Sequence, residues 1–131
     1  IIKLVEEAGG KLVVVDNCDC MKDKEELVDE NRPPLDAIAR KYLNIPCPVM
    51  TPNDNRFQLL SDYIDTYRVD GVIDLSLQAC LTFNLEAIPL KKFIQETKDT
   101  PYLHIETNIA EAEMGQLRTR TEAFVEMLQG R

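Results

Sequence analysis

The chain has 131 residues, of which 44% are apolar and 29% are charged, and it carries a formal net charge of −8. This length fits one domain built around a single hydrophobic core, so residues 1–131 are expected to fold as one unit. The acidic balance argues against nucleic acid or an anionic membrane surface as a partner, because both select basic proteins. No apolar run approaches the roughly 18 residues of a membrane span, and we expect a cytoplasmic protein.

Short apolar runs alternate with helical patterns along the chain, and this order predicts the fold class. Strands that alternate with helices form βαβ units and a parallel sheet with helices on both faces. The sequence therefore predicts a doubly wound α/β domain of about four strands, a three-layer sandwich like those of Rossmann and flavodoxin-like folds. The predicted strands cover residues 11–16, 72–75 and 102–106, and residues 45–51, which contain Pro46 and Pro48, are predicted as an irregular or edge strand at best. The predicted helices cover residues 35–43, 54–67, 90–97 with Pro89 near the start, and 114–128.

The first residues and the cysteines give two further expectations. Residues 1–7 have the pattern of a helix that is already under way and ends at Gly9-Gly10, so we expect the chain to be part of a longer protein. The spacing of the four cysteines matches no zinc-finger or ferredoxin pattern, and by spacing alone it favours buried, reduced thiols. These cysteines are Cys18, Cys20, Cys47 and Cys80.

Ligands of open parallel sheets bind beyond the carboxyl ends of the strands, and three predicted strands end in polar residues. These ends are residues 16–18, residues 74–80 and residues 106–108. We therefore expect Cys18 and Cys80 to lie at one rim with several carboxylates. The single histidine, His104, falls inside a predicted strand; packing within the sheet is favoured over a role beside a catalytic cysteine. Glycine-rich nucleotide loops are absent after the first strand.

The last predicted helix opens with Gly115, and this helix start has two possible roles. Its free backbone N–H groups could receive an anion, or its arginines could form a solvated or interdomain face. Arg118 and Arg120 are two positions apart and so point in different directions. We expect at least one of them to be held by a carboxylate, with Glu106 and Glu122 nearest in sequence.

Several of these segments together resemble one known family. They are Val-Asp-Gly-Val-Ile at residues 69–73, Cys80, Pro-Tyr-Leu-His-Ile-Glu-Thr-Asn at residues 101–108, and the Gly-Gln-Leu-Arg-Thr-Arg-Thr-Glu-Ala-Phe block that opens residues 115–128. In order and spacing they resemble the carboxyl end of the 2-hydroxyacyl-CoA dehydratases. That family is also called the 2-hydroxyglutaryl-CoA dehydratase D-component family, and it includes benzoyl-CoA reductase subunits. The resemblance implies that residues 1–131 are the C-terminal domain of a longer dehydratase subunit.

The family resemblance also implies a cofactor, partners and site residues. The full-length protein would hold a 4Fe-4S cluster with Cys80 as one ligand, so the isolated chain is expected to bind no metal and to be inactive. The implied partners are a second dehydratase subunit in a heterodimer, an ATP-dependent activator protein that delivers one electron, and an acyl-CoA substrate. A ketyl radical anion would then permit loss of water from the 2-hydroxyacyl-CoA. Gly115, Gln116 and Arg118 would lie near the acidic groups of CoA.

Two alternatives remain beside the dehydratase. The chain could be a non-catalytic domain of the same family that pairs subunits or carries electrons, or a flavodoxin-like redox or signalling domain that shares only the fold. The long block at residues 115–128 argues against the second, because a shared fold alone does not reproduce such a run. The choice of acyl-CoA, the choice between dehydration and aromatic-ring reduction, and the identity of the subunit stay open.

Overall fold

Two parallel strands form the sheet of the computed structural model, which describes residues 1–17, 22, 24, 26–50, 52–108 and 114–131. Strand β1 is Val72–Leu77 and strand β2 is Tyr102–Thr107. The register pairs the first residues of both strands, Val72 and Tyr102, and the last ones, Leu77 and Thr107. Both strands therefore end at the same edge of the sheet, and the residues that follow them are neighbours.

The described part of the chain also contains five helices. The helix between the two strands forms the βαβ crossover connection that a pair of parallel strands requires. No helix among the described residues is both long enough and apolar enough to cross a membrane. The helices are α1 (Ile2–Glu7), α2 (Pro34–Leu43), α3 (Asp54–Tyr67), α4 (Leu81–Lys98) and α5 (Met114–Gln129).

The strands alternate their side chains between the two faces of the sheet. On one face Tyr102 packs with Ile64 of α3 and with Leu90 and Ile94 of α4 to form the core cluster. On the other face α5 lies against the start of β1. A Cβ atom added to Gly71 would come within 2.7 Å of Leu128, so only glycine allows this close approach.

The sheet contains two of the four predicted strands. The predictions for residues 72–75 and 102–106 are confirmed, but no strand forms at residues 11–16 or 45–50 in the part of the chain that the structure describes. The N–H groups of a strand donate to a neighbouring strand, and Pro46 and Pro48 have no N–H group to donate. The N–H of Cys47 instead donates to the carbonyl of Ile45 at 2.8 Å and closes a short turn.

Helix α4 starts nine residues before the predicted start at residue 90 and contains Pro89 in its interior. Proline lacks the N–H that would bind the carbonyl of Leu85. Pro89 and Leu85 both lie on the exposed side of the helix, where water can satisfy that carbonyl. The opposite side buries Ala87, Leu90 and Ile94, and this packing holds the helix together across the proline.

A buried ion cluster joins α3, α4 and the segment that precedes α2. The Arg56 side chain on α3 is only 6% exposed, and its Nη2 lies 3.0 Å from Oδ2 of Asp16. Its Nη1 donates to Oε2 of Glu86 on α4, and the ring of Phe83 lies 5.4 Å from the guanidinium carbon. Lys22 Nζ lies 3.5 Å from the second oxygen of Asp16. The two cations and two anions balance, as buried charges require.

Arg56 remains charged in this environment. Burial by itself would lower the pKa of Arg56, but the negative charges of Asp16 and Glu86 outweigh that effect and raise it. Asn53 is the N-cap residue of α3, but its side chain makes no cap bond to that helix. Its amide nitrogen donates instead to Oε1 of Glu86, so it contributes to the cluster.

Replacement of Arg56 by Met should destabilise the chain strongly, because it leaves the buried carboxylate of Glu86 without its cation and that of Asp16 with Lys22 alone. We expect a loss of about 3–5 kcal/mol in the free energy of unfolding, measured by urea unfolding at neutral pH. Arg40→Met on α2 is the control, since Arg40 forms an exposed pair with Asp36 and should cost no more than about 0.5 kcal/mol. Equal losses in the two variants would contradict the role of the cluster.

Candidate functional site

Cys80 lies at the carboxyl edge of the sheet, where topology predicts it. A short turn follows β1, with Ala79 in the left-handed conformation at a φ of 64°, and Cys80 is then the N-cap residue of α4. The Cys80 N–H donates to the carbonyl of Leu77 at 3.0 Å. The thiol is partly exposed and makes no cap bond. The Cys80 sulfur lies 3.9 Å from Thr82 Oγ1.

The other residues at this edge are tied to each other across the two strands. Asn84, in the first turn of α4, accepts a hydrogen bond from Ser76 Oγ and donates to Glu106 Oε1 at 3.3 Å. The N–H of Gln78 donates to the carbonyl of Thr107 at 2.7 Å. Asn108 Nδ2 donates to Gln78 Oε1 at 3.4 Å. The start of α4 is therefore fastened to both strand ends, and Cys80 is carried on a well-supported backbone.

The predicted rim is only partly assembled. The structure brings Cys80 together with residues 106–108, as predicted. Asp16 belongs instead to the buried cluster with Arg56, and Asp74 lies within β1. Cys18 and Cys20 fall outside the described residues.

Asp74 anchors a polar group inside the sheet that the sequence analysis missed. It stands opposite His104 in the register, and its Oδ2 lies 2.9 Å from His104 Nδ1. Tyr102 donates to the same oxygen at 2.6 Å. Burial, followed by the hydrogen bond to Asp74, raises the pKa of Tyr102 far above its usual value. The signal for this group was a lone carboxylate between apolar strand residues, since such a buried charge needs partners.

His104 is thus a packed strand residue, as predicted. It lies three positions before the end of β2, or roughly 10 Å along the strand, and its ring is held by Asp74. Cys80 lies beyond the end of β1. The arrangement does not place His104 beside Cys80 as the base of a catalytic pair.

At the start of α5, Gly115 and Gln116 are exposed. Among the described residues, no heavy atom outside the immediate backbone lies within 4 Å of a Cβ built on Gly115. The described chain therefore leaves this helix start uncovered, which fits a surface that a ligand could approach. The glycine is not required there by packing within the described chain.

The two arginines of α5 point to different neighbours, as expected. Arg118 Nη2 lies 2.8 Å from Glu7 Oε2 on α1, and its Nη1 lies 3.6 Å from Glu122. Arg120 Nη2 donates to the carbonyl of His104 at 2.6 Å. Glu122 is confirmed as a partner, whereas no bond from either arginine to Glu106 is found among the described residues. Arg118 links the last helix to the first one.

The Arg118–Glu7 pair should contribute a small, salt-sensitive stabilisation. The hydrogen bond from Arg118 lowers the pKa of Glu7, so this contribution is present above the ordinary glutamate pKa and is lost as the pH falls through the lowered value. A double-mutant cycle with Glu7→Gln and Arg118→Gln should show a coupling that weakens in high salt and vanishes in strong acid. Coupling that persists in acid would contradict this assignment.

A metal ion would need more ligands than one cysteine. Within the described residues, no three His, Cys, Asp or Glu side chains lie close enough together to hold a metal ion. Cys80 has the exposure and the backbone support of a ligand. Its geometry fits one ligand position of a shared centre and does not fit a complete site.

Comparison with known proteins gives this arrangement a context. A protein of Escherichia coli (strain K12) named "Putative dehydratase subunit YjiM" is 41% identical to the chain over 128 residues, which are 98% of the chain and 33% of that protein. The (R)-phenyllactyl-CoA dehydratase beta subunit of Clostridium sporogenes is 26% identical over 129 residues, or 98% of the chain and 34% of that subunit. The chain spans about a third of the length of these relatives.

The family comparison covers almost the whole chain. Residues 1–128 match the family described as 2-hydroxyglutaryl-CoA dehydratase, D-component. The match includes the helix start at Gly115, Cys80 at the strand ends and the buried cluster around Arg56. The chain belongs to the 2-hydroxyglutaryl-CoA dehydratase D-component family.

Proposed function

We propose that this chain is the C-terminal domain of one subunit of a heterodimeric 2-hydroxyacyl-CoA dehydratase. The observation that carries the proposal is the partly exposed Cys80 thiol, fixed at the N-cap of α4, in a chain of the dehydratase family. The reaction is the elimination of water from a 2-hydroxyacyl-CoA, after an ATP-dependent activator protein has delivered one electron.

Cys80 would hold one iron of a 4Fe-4S cluster, and the other ligands would come from outside this chain. The cluster, when bound, supplies one-electron transfer to the CoA thioester. The role of the chain is to position the sulfur. Leu77 and Asn84 bond the backbone of Cys80 from both sides, through an N–H and a carbonyl at 3.0 Å each. Such support limits the directions from which the thiolate can approach iron.

The open start of α5 would receive the acidic part of CoA. Gly115 and Gln116 offer exposed backbone at a helix N-terminus, where anions are stabilised. Arg118 would contribute its positive charge, in competition with Glu7, which holds it at 2.8 Å. Exchange of Glu7 for a phosphate is possible only because this pair is exposed.

Loss of the Cys80 sulfur should remove the cluster and leave the fold. Cys80→Ser in the full-length subunit, produced without oxygen together with its partner, should lose most of its iron and sulfide and its dehydration activity. Cys47→Ser is the matched control, since Cys47 is also a partly buried free thiol but lies away from the strand ends. Iron content, the electron paramagnetic resonance signal and circular dichroism would be measured together.

Three outcomes of this experiment have distinct meanings. Full iron content and activity in Cys80→Ser would contradict the ligand role. Loss of iron with unchanged circular dichroism would support it. A cluster that is present in the wild-type protein without any dehydration of 2-hydroxyacyl-CoA substrates would favour the electron-carrier alternative.

Gly115→Ala should weaken acyl-CoA binding without harming the fold. The new methyl group meets no atom of the described chain, and alanine favours a helix over glycine by up to about 1 kcal/mol. We therefore expect an unchanged or higher free energy of unfolding and a KM for acyl-CoA that rises several-fold. Gly130→Ala, at the other end of α5 with ordinary contacts at 3.7 Å, should leave KM unchanged. Equal KM values in both variants would contradict the CoA site.

A further inference from the structure

The outer side of α4 carries an apolar stripe that the described chain leaves uncovered. Leu81, Leu85 and Ile88 are 72%, 73% and 77% exposed. Their spacing of four and three residues places them on one face of the helix. We call these three residues the α4 stripe.

The α4 stripe is distinct from the face that α4 uses in its own core. Ala87, Leu90 and Ile94 are the buried residues of the helix, and they lie on the opposite side. The stripe ends at Lys92, which faces Glu96 in an exposed pair at 4.0 Å. It is thus confined to the first half of α4, and its first residue, Leu81, directly follows Cys80.

Such a surface is unusual on a protein that stays free in water. Contiguous exposed apolar side chains mark interaction sites, and a helix that is apolar on two opposite sides is normally covered on both. Helix α2 also exposes apolar side chains, Leu35, Ile38 and Tyr42, and there Lys41 lies over the Tyr42 ring at 5.5 Å. The α4 stripe has no such charged cover among the described residues.

We infer that the α4 stripe packs against the remainder of the full-length subunit, which assumes, as the proposed function does, that this chain is one domain of it. The match to this chain covers 33% and 34% of the two relatives described above, so about two thirds of a subunit of that length would be available to cover the stripe. A covalently linked domain meets the stripe at a high effective concentration. Self-association is disfavoured by the net charge of −8 on each copy.

The α4 stripe lies next to Cys80, so a domain packed on it would also contribute to the site around that cysteine. A surface packed on Leu81 and Leu85 would end beside Cys80, where the remaining ligands of a shared centre must enter. The same contact would exclude water from the sulfur. The stripe would therefore align the two parts of the site as well as join the two domains.

Hydroxyl-radical footprinting of the full-length subunit, without its partner, tests this inference. Labelling of Leu85 and Ile88 is measured by mass spectrometry, relative to the same peptide in denatured protein, with exposed Leu27 as the internal comparison. We expect Leu85 and Ile88 to be labelled at least five-fold less than their exposure in this structure would give. Labelling in proportion to that exposure would overturn the inference.

Two further outcomes would name another occupant and also overturn it. Protection that appears only after addition of the partner subunit would assign the stripe to the heterodimer interface. Protection that grows with the concentration of the subunit would assign it to a second copy. Limited proteolysis of the Leu85→Asp variant gives a second measurement. This variant should be cleaved between the domains several-fold faster than Leu27→Asp, and equal cleavage rates would count against the inference.

The same preparation separates this inference from the proposed function. In the Cys80→Ser subunit the stripe should stay protected while iron is lost. Protection together with full iron content in Cys80→Ser would contradict the ligand role and support the interface. Iron loss in Cys80→Ser together with an unprotected stripe in the wild-type subunit would support the ligand role and overturn the interface.

Discussion

The buried guanidinium of Arg56 is the contact on which the arrangement of this chain depends. Three parts of the chain that share no strand ladder meet there, through Asp16, α3 and Glu86 of α4. Each ion loses several kcal/mol of hydration on burial, and the cluster recovers that loss only with all its members in place. This requirement fixes one position for the segment before α2, which has no strand to hold it. It also fixes the first half of α4, and with it the backbone that carries Cys80.

The local pattern of the sequence was sufficient for the central βαβ unit. The apolar runs at residues 72–75 and 102–106 and the helical spacing between them predicted β1, β2 and the second half of α4. The run at residues 11–16 is as apolar as β1 but forms no strand in the described chain. A strand exists only when another strand lies beside it, and composition does not contain that information. The start of α4 was predicted too late for a related reason. Pro89 disfavours a helix locally, but the burial of the helix face on both sides of the proline outweighs that free-energy cost.

The candidate site was predictable only where topology constrains it. Cys80 and residues 106–108 meet because parallel strands end at one edge. The partner of Arg118 could not be found by proximity in sequence, since Glu7 is 111 residues away. Asp16 was assigned to the rim because it follows an apolar run. The sequence does not reveal that Arg56, 40 residues later, draws it into a buried cluster.

The turn that presents Cys80 has a consequence for how such a site can change. Ala79 has a φ of 64°, and the Cβ of an L-residue costs about 1–2 kcal/mol in that region. A glycine would remove this cost, yet it would also let the chain leave β1 in more than one direction. Stability and a single direction for the sulfur therefore oppose each other at Ala79. Backbone strain of this kind is found most often beside functional residues.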